Sequence, residues 1–281
     1  MLPDAIHLIP VSSRIGFMYV DHARIDLEDG VPAAFCDEGV TPVPAGDLAC
    51  LMLGPGTSIT HAAIDASARM GCLVLWVGEQ GVRVYSAGNP GGAAGHRLRE
   101  QALQVTEAQA RIEAARRLYR LMLGAEPPQA RSVDQLRGLE GSFVRAEYAR
   151  LAALHGVSWS GRRQDSGDTA NRAISTATST LYGVCEAAIL ALGLSPAIGI
   201  VHNGDARSFV FDVADTVKFR TVVPLAFRAA AEYQGAGDLS GMVRRQCRDL
   251  FVREHLLEQM VSIIEHVVFG HGLDDCVPHQ P

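Results

Sequence analysis

The feature that most constrains this chain is a change of hydrophobic period near residue 90. Before the stretch SAGNPGGAAGHR, Ser86 to Arg97, apolar residues come in short runs; after it they recur at helical spacing. The runs His7–Val11, Ile15–Asp21, Arg24–Leu27, Leu51–Leu53, Leu73–Val77 and Val82–Ser86 read as strands parted by turn residues. Between them, THAAIDASARMG predicts one short helix ending at Gly71, and LVLWVGEQGVRVYS predicts a hairpin turning through Gly78 to Gly81. The glycines and proline of the intervening stretch neither extend a strand nor start a stable helix, which places a domain boundary there.

Beyond it, Leu98, Val105, Ile112, Ala115, Leu118 and Met122 lie on one stripe, predicting a single long helix to Gly124. Further helices are expected over Ser132–His155, Asp168–Leu192 (capped by Asp168 or Thr169), Phe209–Phe219, Val223–Tyr233 and Gly241–Phe269. The expected fold is α+β. A small β-rich N-terminal domain of sandwich-like sheets with one short helix (1–88) leads through a linker (89–97) to a larger all-α domain (98–271) and a disordered tail (272–281). At 48% hydrophobic composition the chain has enough apolar surface for a sizeable core.

Composition removes several function classes. The first twenty residues, broken by Pro10 and Arg14, lack a charged segment followed by an apolar one, so secretion is not expected. The most apolar run, Val184–Leu194, contains Glu186 and falls short of the roughly 20 residues of a membrane span. Cys36, Cys50, Cys72, Cys185, Cys247 and Cys276 are widely separated, which fits free thiols in a reducing cytoplasm rather than a zinc site. The formal charge of −6 argues against a protein that coats nucleic acid, although residues 1–100 carry 6 basic and 11 acidic side chains while the remainder is nearly balanced, leaving room for a local basic groove.

Two segments place chemistry-bearing residues on helices. Glu140, in RGLEGSFVRAEYARL, shares a helical face with Leu136, Phe143 and Val144; spacing alone favours an ion pair to Arg137 or Arg145 over metal binding. VHNGDARSFVFDVADTVKF offers His202, then Asp212, Asp215 and Lys218 along one helical ridge among apolar neighbours. Buried carboxylates need compensation. Either Lys218 and Arg220 pair with them, or a divalent cation does; two carboxylates and an imidazole, with no cysteine nearby, suit Mg²⁺ or Mn²⁺. Lys218 is the only lysine in the chain. Arg162 and Arg163 in WSGRRQDSGD, Arg244, Arg245 and Arg248 on a late helix, and Arg83 on the hairpin are candidates for contacting a phosphate backbone, each equally readable as a solvated surface charge. Tyr182, in LYGVCEAAILALGL, reads as helix core near the acids.

The blocks PGTSITHAAIDASARMGCLVLWVGEQGVRVYSAGNPGG, SVDQLRGLEGSFVRAEYARLAALHGVSWSGRR, GDTANRAISTATSTLYGVCEAAILALGLSPAIGIVHNG and SFVFDVADTVKFRTVVPLAF, in this order, resemble the CRISPR-associated protein 1 family, the endonuclease and integrase of spacer acquisition, in its type I-E branch. The resemblance spans nearly the whole chain. It implies a metal site of Glu140, His202 and Asp215, with Asp212, Lys218 and Tyr182 also matching family positions. It further implies a cytoplasmic homodimer that joins a small partner protein of the adaptation complex and grips double-stranded DNA, both spacer precursor and CRISPR repeat. The activity implied is metal-dependent joining of 3′-hydroxyl ends to the repeat, with Lys218 supporting phosphate charge and Asp212 orienting a ligand or binding a second metal. Departures from the family pattern concern DNA handling: Gln164 stands where an aromatic residue is expected, and Ser58 and Asp65 stand where arginines facing phosphate are expected. Two rival readings use the same residues: a metal-dependent phosphoesterase on another substrate, which would not need Arg162, Arg163, Arg244 or Arg248, and a noncatalytic DNA-binding scaffold, in which the acids are structural ion pairs.

Overall fold

The computed structural model describes residues 15–78, 84–88, 95–129, 132–163, 168–235 and 237–272. The expected strand His7–Val11, Arg83 and the hairpin turn, Gln164, most of the linker and most of the C-terminal tail lie outside the described residues.

The N-terminal part holds strands β1 (Ile15–Val20), β2 (Arg24–Glu28), β3 (Val31–Cys36), β4 (Gly39–Pro42), β5 (Leu48–Leu53), β6 (Ser58–Ile59), β7 (Leu73–Val77) and β8 (Val84–Ala87), with helix α1 (His61–Arg69) between β6 and β7. They form two four-stranded sheets, β1-β5-β7-β8 and β4-β3-β2-β6. In the first, β1, β5 and β7 run parallel and β8 antiparallel. β3 and β4 escaped the sequence reading, although Asp29-Gly30 was a legible signal for the β2–β3 hairpin. Both residues take positive φ (51° and 82°), as a two-residue turn matching strand twist requires. Thr60 caps α1 by accepting from the Ala63 amide at 3.2 Å.

The period of 2 along β5 and β7 explains how this part is packed. Leu51, Leu53 and Val74 face the second sheet and α1, meeting Ile25, Ala34 and Ala63; Cys50, Met52, Leu73 and Leu75 face the other way, onto Ala187 and Ala191 of the helical part. A sheet buried on both faces reads as a continuous apolar run, as LACLML and LVLWV do.

The C-terminal part comprises α2 (Gly95–Thr106), α3 (Ala108–Leu123), α4 (Val133–Leu154), α5 (Thr169–Ala191), α6 (Ser208–Asp215), α7 (Val222–Glu232), α8 (Leu239–Arg253) and α9 (Leu256–Phe269). Two helices expected to be continuous are broken. Glu107 is extended (φ −86°, ψ 114°), dividing α2 from α3, and His255 is left-handed (φ 49°, ψ 47°), dividing α8 from α9. The break at His255 lets α9 turn Leu256, Met260, Ile263 and Ile264 into the core. Arg97, at the start of α2, donates to the Leu192 carbonyl at 2.8 Å and pairs with Glu265 of α9 at 2.5 Å, clamping the entry of the helical part to two of its helices.

α5 is the axis of the core. It contacts α6, α7, α8, α9 and the first sheet. Ala173, Ala177, Gly183, Ala187, Ala188 and Ala191, all buried, let those elements approach closely. By length and composition α5 is apolar enough to cross a membrane. Its enclosure by helices and sheet accounts for that composition. Asp168 is its cap, accepting from the Asn171 amide at 2.8 Å.

Candidate metal centre

Three elements converge beside the core. α4 carries Glu140 and the loop after α5 carries His202, while α6 carries Asp212 and Asp215. The loop can fold tightly because residue 199 is glycine: a Cβ there would lie 2.3 Å from the His202 carbonyl oxygen and 2.7 Å from the Ser208 Cβ.

Asp212 organises the loop. Its side chain is fully buried, and its two oxygens accept from the backbone amides of Ile200 (2.5 Å), Val201 (3.1 Å) and His202 (3.0 Å). Oδ1 also lies 2.8 Å from Nδ1 of the His202 ring. A carboxylate can only accept, so Nδ1 carries the hydrogen and, in the neutral ring, Nε2 is the nitrogen that keeps its lone pair. This hydrogen bond is the chief reason the imidazole pKa is raised, against the opposing effect of burial. Each Asp212 oxygen thus accepts from two donors of the loop that carries His202.

Asp215 pairs with Lys218 at 2.6 Å, and both side chains are nearly buried. The expected helix to Phe219 ends early, at Asp215, where the Thr216 hydroxyl bonds back to the Val213 carbonyl; Lys218 therefore sits in the turn after α6 and not on its ridge. Burial is the largest single effect and works against the ammonium, but the charge and hydrogen bond of Asp215 together with the nearby Tyr148 and Tyr182 outweigh it, and the pKa is raised. Arg220, the other cation weighed as a partner, pairs with neither aspartate, and one of its guanidinium nitrogens is buried without a hydrogen bond.

Glu140 makes no ion pair among the described residues. Arg137 lies instead 4.0 Å from Asp134. The Glu140 carboxylate accepts a hydrogen bond from the Tyr119 hydroxyl on α3, at 2.8 Å. Sequence reasoning missed Tyr119, because in RRLYRLML it is indistinguishable from core. The ligand atoms of Glu140, His202 and Asp215 lie within 4.8 Å of one another. Donors on opposite sides of an ion with bonds of about 2.1 Å stand about 4.2 Å apart.

Tyr182, on α5, sets its ring edge-to-face against Phe211 at 5.1 Å, and Phe211 in turn meets the His202 ring at 5.8 Å. Burial, then the Asp215 charge, push the Tyr182 phenol up to about 12. The basic candidates lie outside α5, with Arg162 and the start of α8 placed against its first turns. Arg162 bonds to Asn171 and Ser175, both at 3.0 Å, so it is held against the first turns of α5; Asn171 also accepts from the Arg163 amide, while the Arg163 side chain is exposed. Thr176 meets Ser240 at 3.3 Å, which brings the start of α8 to the same part of α5. On α8, Arg244 lies 3.8 Å from Asp238, Arg248 pairs with its neighbour Asp249, and Arg245 is exposed. Ser175 and Tyr182 are seven residues apart, about 10 Å along the axis. In the N-terminal part, Ser58 is exposed on β6 and Asp65 pairs with Arg69 at 2.9 Å.

Residues 122–238 match the family model described as CRISPR associated protein Cas1. The chain is 47% identical over 279 residues to the CRISPR-associated endonuclease Cas1 of Geobacter sulfurreducens, covering 97% of this chain and 90% of the relative. It is 47% identical over 276 residues to the protein of the same name in Escherichia coli K12, covering 96% and 90%. A crystal structure of a TtCas1–DNA complex superposes with a TM-score of 0.81 at 38% identity, covering 94% of this chain and 99% of that one.

Proposed function

The chain belongs to the CRISPR-associated Cas1 family, and from that premise we propose that it is a divalent-metal-dependent DNA endonuclease and integrase of CRISPR adaptation. The observation that carries the reading is the convergence of Glu140, His202 and Asp215, from three separate elements, to within 4.8 Å. The solved DNA complex of a structural relative supports DNA as the ligand, and we take it to be double-stranded.

The donor set fits a hard or borderline ion, Mg²⁺ or Mn²⁺: two carboxylates and one imidazole whose Nε2 is left free by the Asp212 bond. Such an ion, when bound, polarises the scissile phosphate and stabilises charge on the leaving oxygen. Glu140, His202 and Asp215 hold it, and Asp212 fixes the ring and tautomer of His202. Lys218, kept as an ammonium by Asp215, supplies positive charge for the phosphate. The chain need not provide a nucleophile. In joining, a DNA 3′-hydroxyl attacks a phosphorus of the CRISPR repeat and the former 3′-oxygen leaves; in cleavage, water takes the place of the hydroxyl. Arg162, Arg163, Arg244, Arg245 and Arg248, with Arg83 and Tyr182, are assigned to the DNA path. The protein is assigned to a cytoplasmic homodimer working with a small adaptation partner, and the segments 1–88, 89–97, 98–271 and 272–281 to β-rich domain, linker, catalytic domain and tail.

The test compares two substrates with the purified protein and its adaptation partner, in Mn²⁺ and in EDTA. Metal-dependent cleavage of a labelled branched or duplex DNA, with none of a bis-aryl phosphodiester, is the expected result. Turnover of the small diester alone would move the assignment to a phosphoesterase, and turnover of neither would favour the scaffold.

A further inference from the structure

Glu140 is held by a group that carries no charge. Tyr119 is 3% exposed, and its hydroxyl makes one hydrogen bond among the described residues, to Glu140 Oε2 at 2.8 Å. A buried phenol needs a partner, and phenylalanine would fill the same volume without one. Its neighbours Ala115 and Leu118 on α3 are buried in the same core, so α3 holds the ring in place from behind. The two aspartates are held differently: Asp212 by backbone amides and His202, Asp215 by the ammonium of Lys218. An ammonium on a carboxylate competes with an incoming cation for the same oxygen. A phenol fixes the carboxylate's direction and leaves its charge intact.

We propose that Tyr119 is a positioning residue for the metal site: its hydroxyl holds Oε2 of Glu140 and so fixes the direction of the carboxylate beside His202 and Asp215. This rests on the metal-site reading above. Among groups that touch metal ligands in this fold, Tyr119 would complete a set in which His202 is oriented by Asp212 and Glu140 by Tyr119.

The experiment measures Mn²⁺ binding to the full-length protein, by calorimetry and by the electron paramagnetic resonance spectrum, for the native chain, Tyr119→Phe, Glu140→Gln and Tyr119→Leu. Melting in EDTA reports whether each variant folds. Tyr119→Phe, with an unchanged EDTA melt, is expected to bind Mn²⁺ about tenfold more weakly and with an altered spectrum, because only the hydroxyl is lost. Tyr119→Leu tests packing: it should lower the EDTA melt while weakening Mn²⁺ binding no more than the phenylalanine variant does. Native affinity and spectrum in Tyr119→Phe, with binding abolished in Glu140→Gln, would overturn the role of Tyr119 and leave the metal site standing. Absence of Mn²⁺ binding to the native chain, or native binding in Glu140→Gln, would overturn the metal-site reading and this proposal together.

Discussion

Asp212 Oδ1 stands 2.8 Å from His202 Nδ1 and 3.0 Å from the His202 amide, so one buried carboxylate fixes both the ring and the backbone of a single residue. The aspartate therefore shapes the site through His202. Asp212→Asn turns one acceptor into a donor that confronts amide hydrogens. It should destabilise the metal-free protein by about 1–3 kcal/mol and weaken Mn²⁺ binding about 10- to 100-fold. Denaturant melts in EDTA and a Mn²⁺ titration check both numbers; an unchanged melt would mean the carboxylate is not needed to close the loop.

The same contact sets a pH dependence. The His202 pKa is raised above its ordinary 6.5, chiefly by Asp212. The charged pair therefore contributes stability that is fully present below 6.5 and is lost as pH rises through the higher folded value. Metal binding runs the opposite way, since the ion needs the neutral ring. The stabilisation by Mn²⁺ should grow as pH rises through that raised value, while metal-free stability from this pair declines. Thermal melts with Mn²⁺ and with EDTA from pH 5.5 to 8.5, repeated on His202→Ala, would show the crossing trends in the native chain and neither trend in the variant.

Lys218 occupies Asp215 Oδ1 at 2.6 Å and so competes for a ligand atom. Lys218→Met should tighten Mn²⁺ binding several-fold while slowing DNA joining about 10- to 100-fold, because charge is lost at the phosphate. Calorimetry and a joining assay on the same preparation read the two effects. A parallel fall in both would place Lys218 in the architecture of the ligand set alone.

The arginines divide by how they are held. Arg163 is exposed, whereas Arg162 is fixed to Asn171 and Ser175. Arg163→Ala should weaken duplex binding and lower the log–log salt slope by about 0.9, the value for one phosphate contact, with no change in melting temperature. Arg162→Ala should do the same and also lower the melting temperature by loosening the start of α5. Fluorescence anisotropy across a salt series, with thermal melts, separates the two.

Much of this was legible in the sequence because it was local. Glu140 sits beside apolar neighbours one turn apart, and Asp212, Asp215 and Lys218 come at spacings that mark one region of chain. The partners of these residues were not legible, since each comes from contacts that no periodicity encodes. Asp212 meets amides ten to twelve residues upstream through a loop that closes on Gly199, and Glu140 meets Tyr119 from another helix. The helix break at His255 carries no glycine or proline to announce it, and the non-glycine residue is held left-handed by the packing of α9. By contrast, the missed β3 was announced by Asp29-Gly30.

The most direct test of the central claim joins a short duplex bearing free 3′-hydroxyls to a supercoiled plasmid carrying a CRISPR repeat. The reaction contains the purified protein and its adaptation partner, with Mn²⁺ or EDTA, alongside His202→Ala. Joined products that require Mn²⁺ and disappear in His202→Ala are the predicted result. Joining that persists in EDTA or in His202→Ala, or no joining together with no change in melting temperature on adding Mn²⁺, would contradict it.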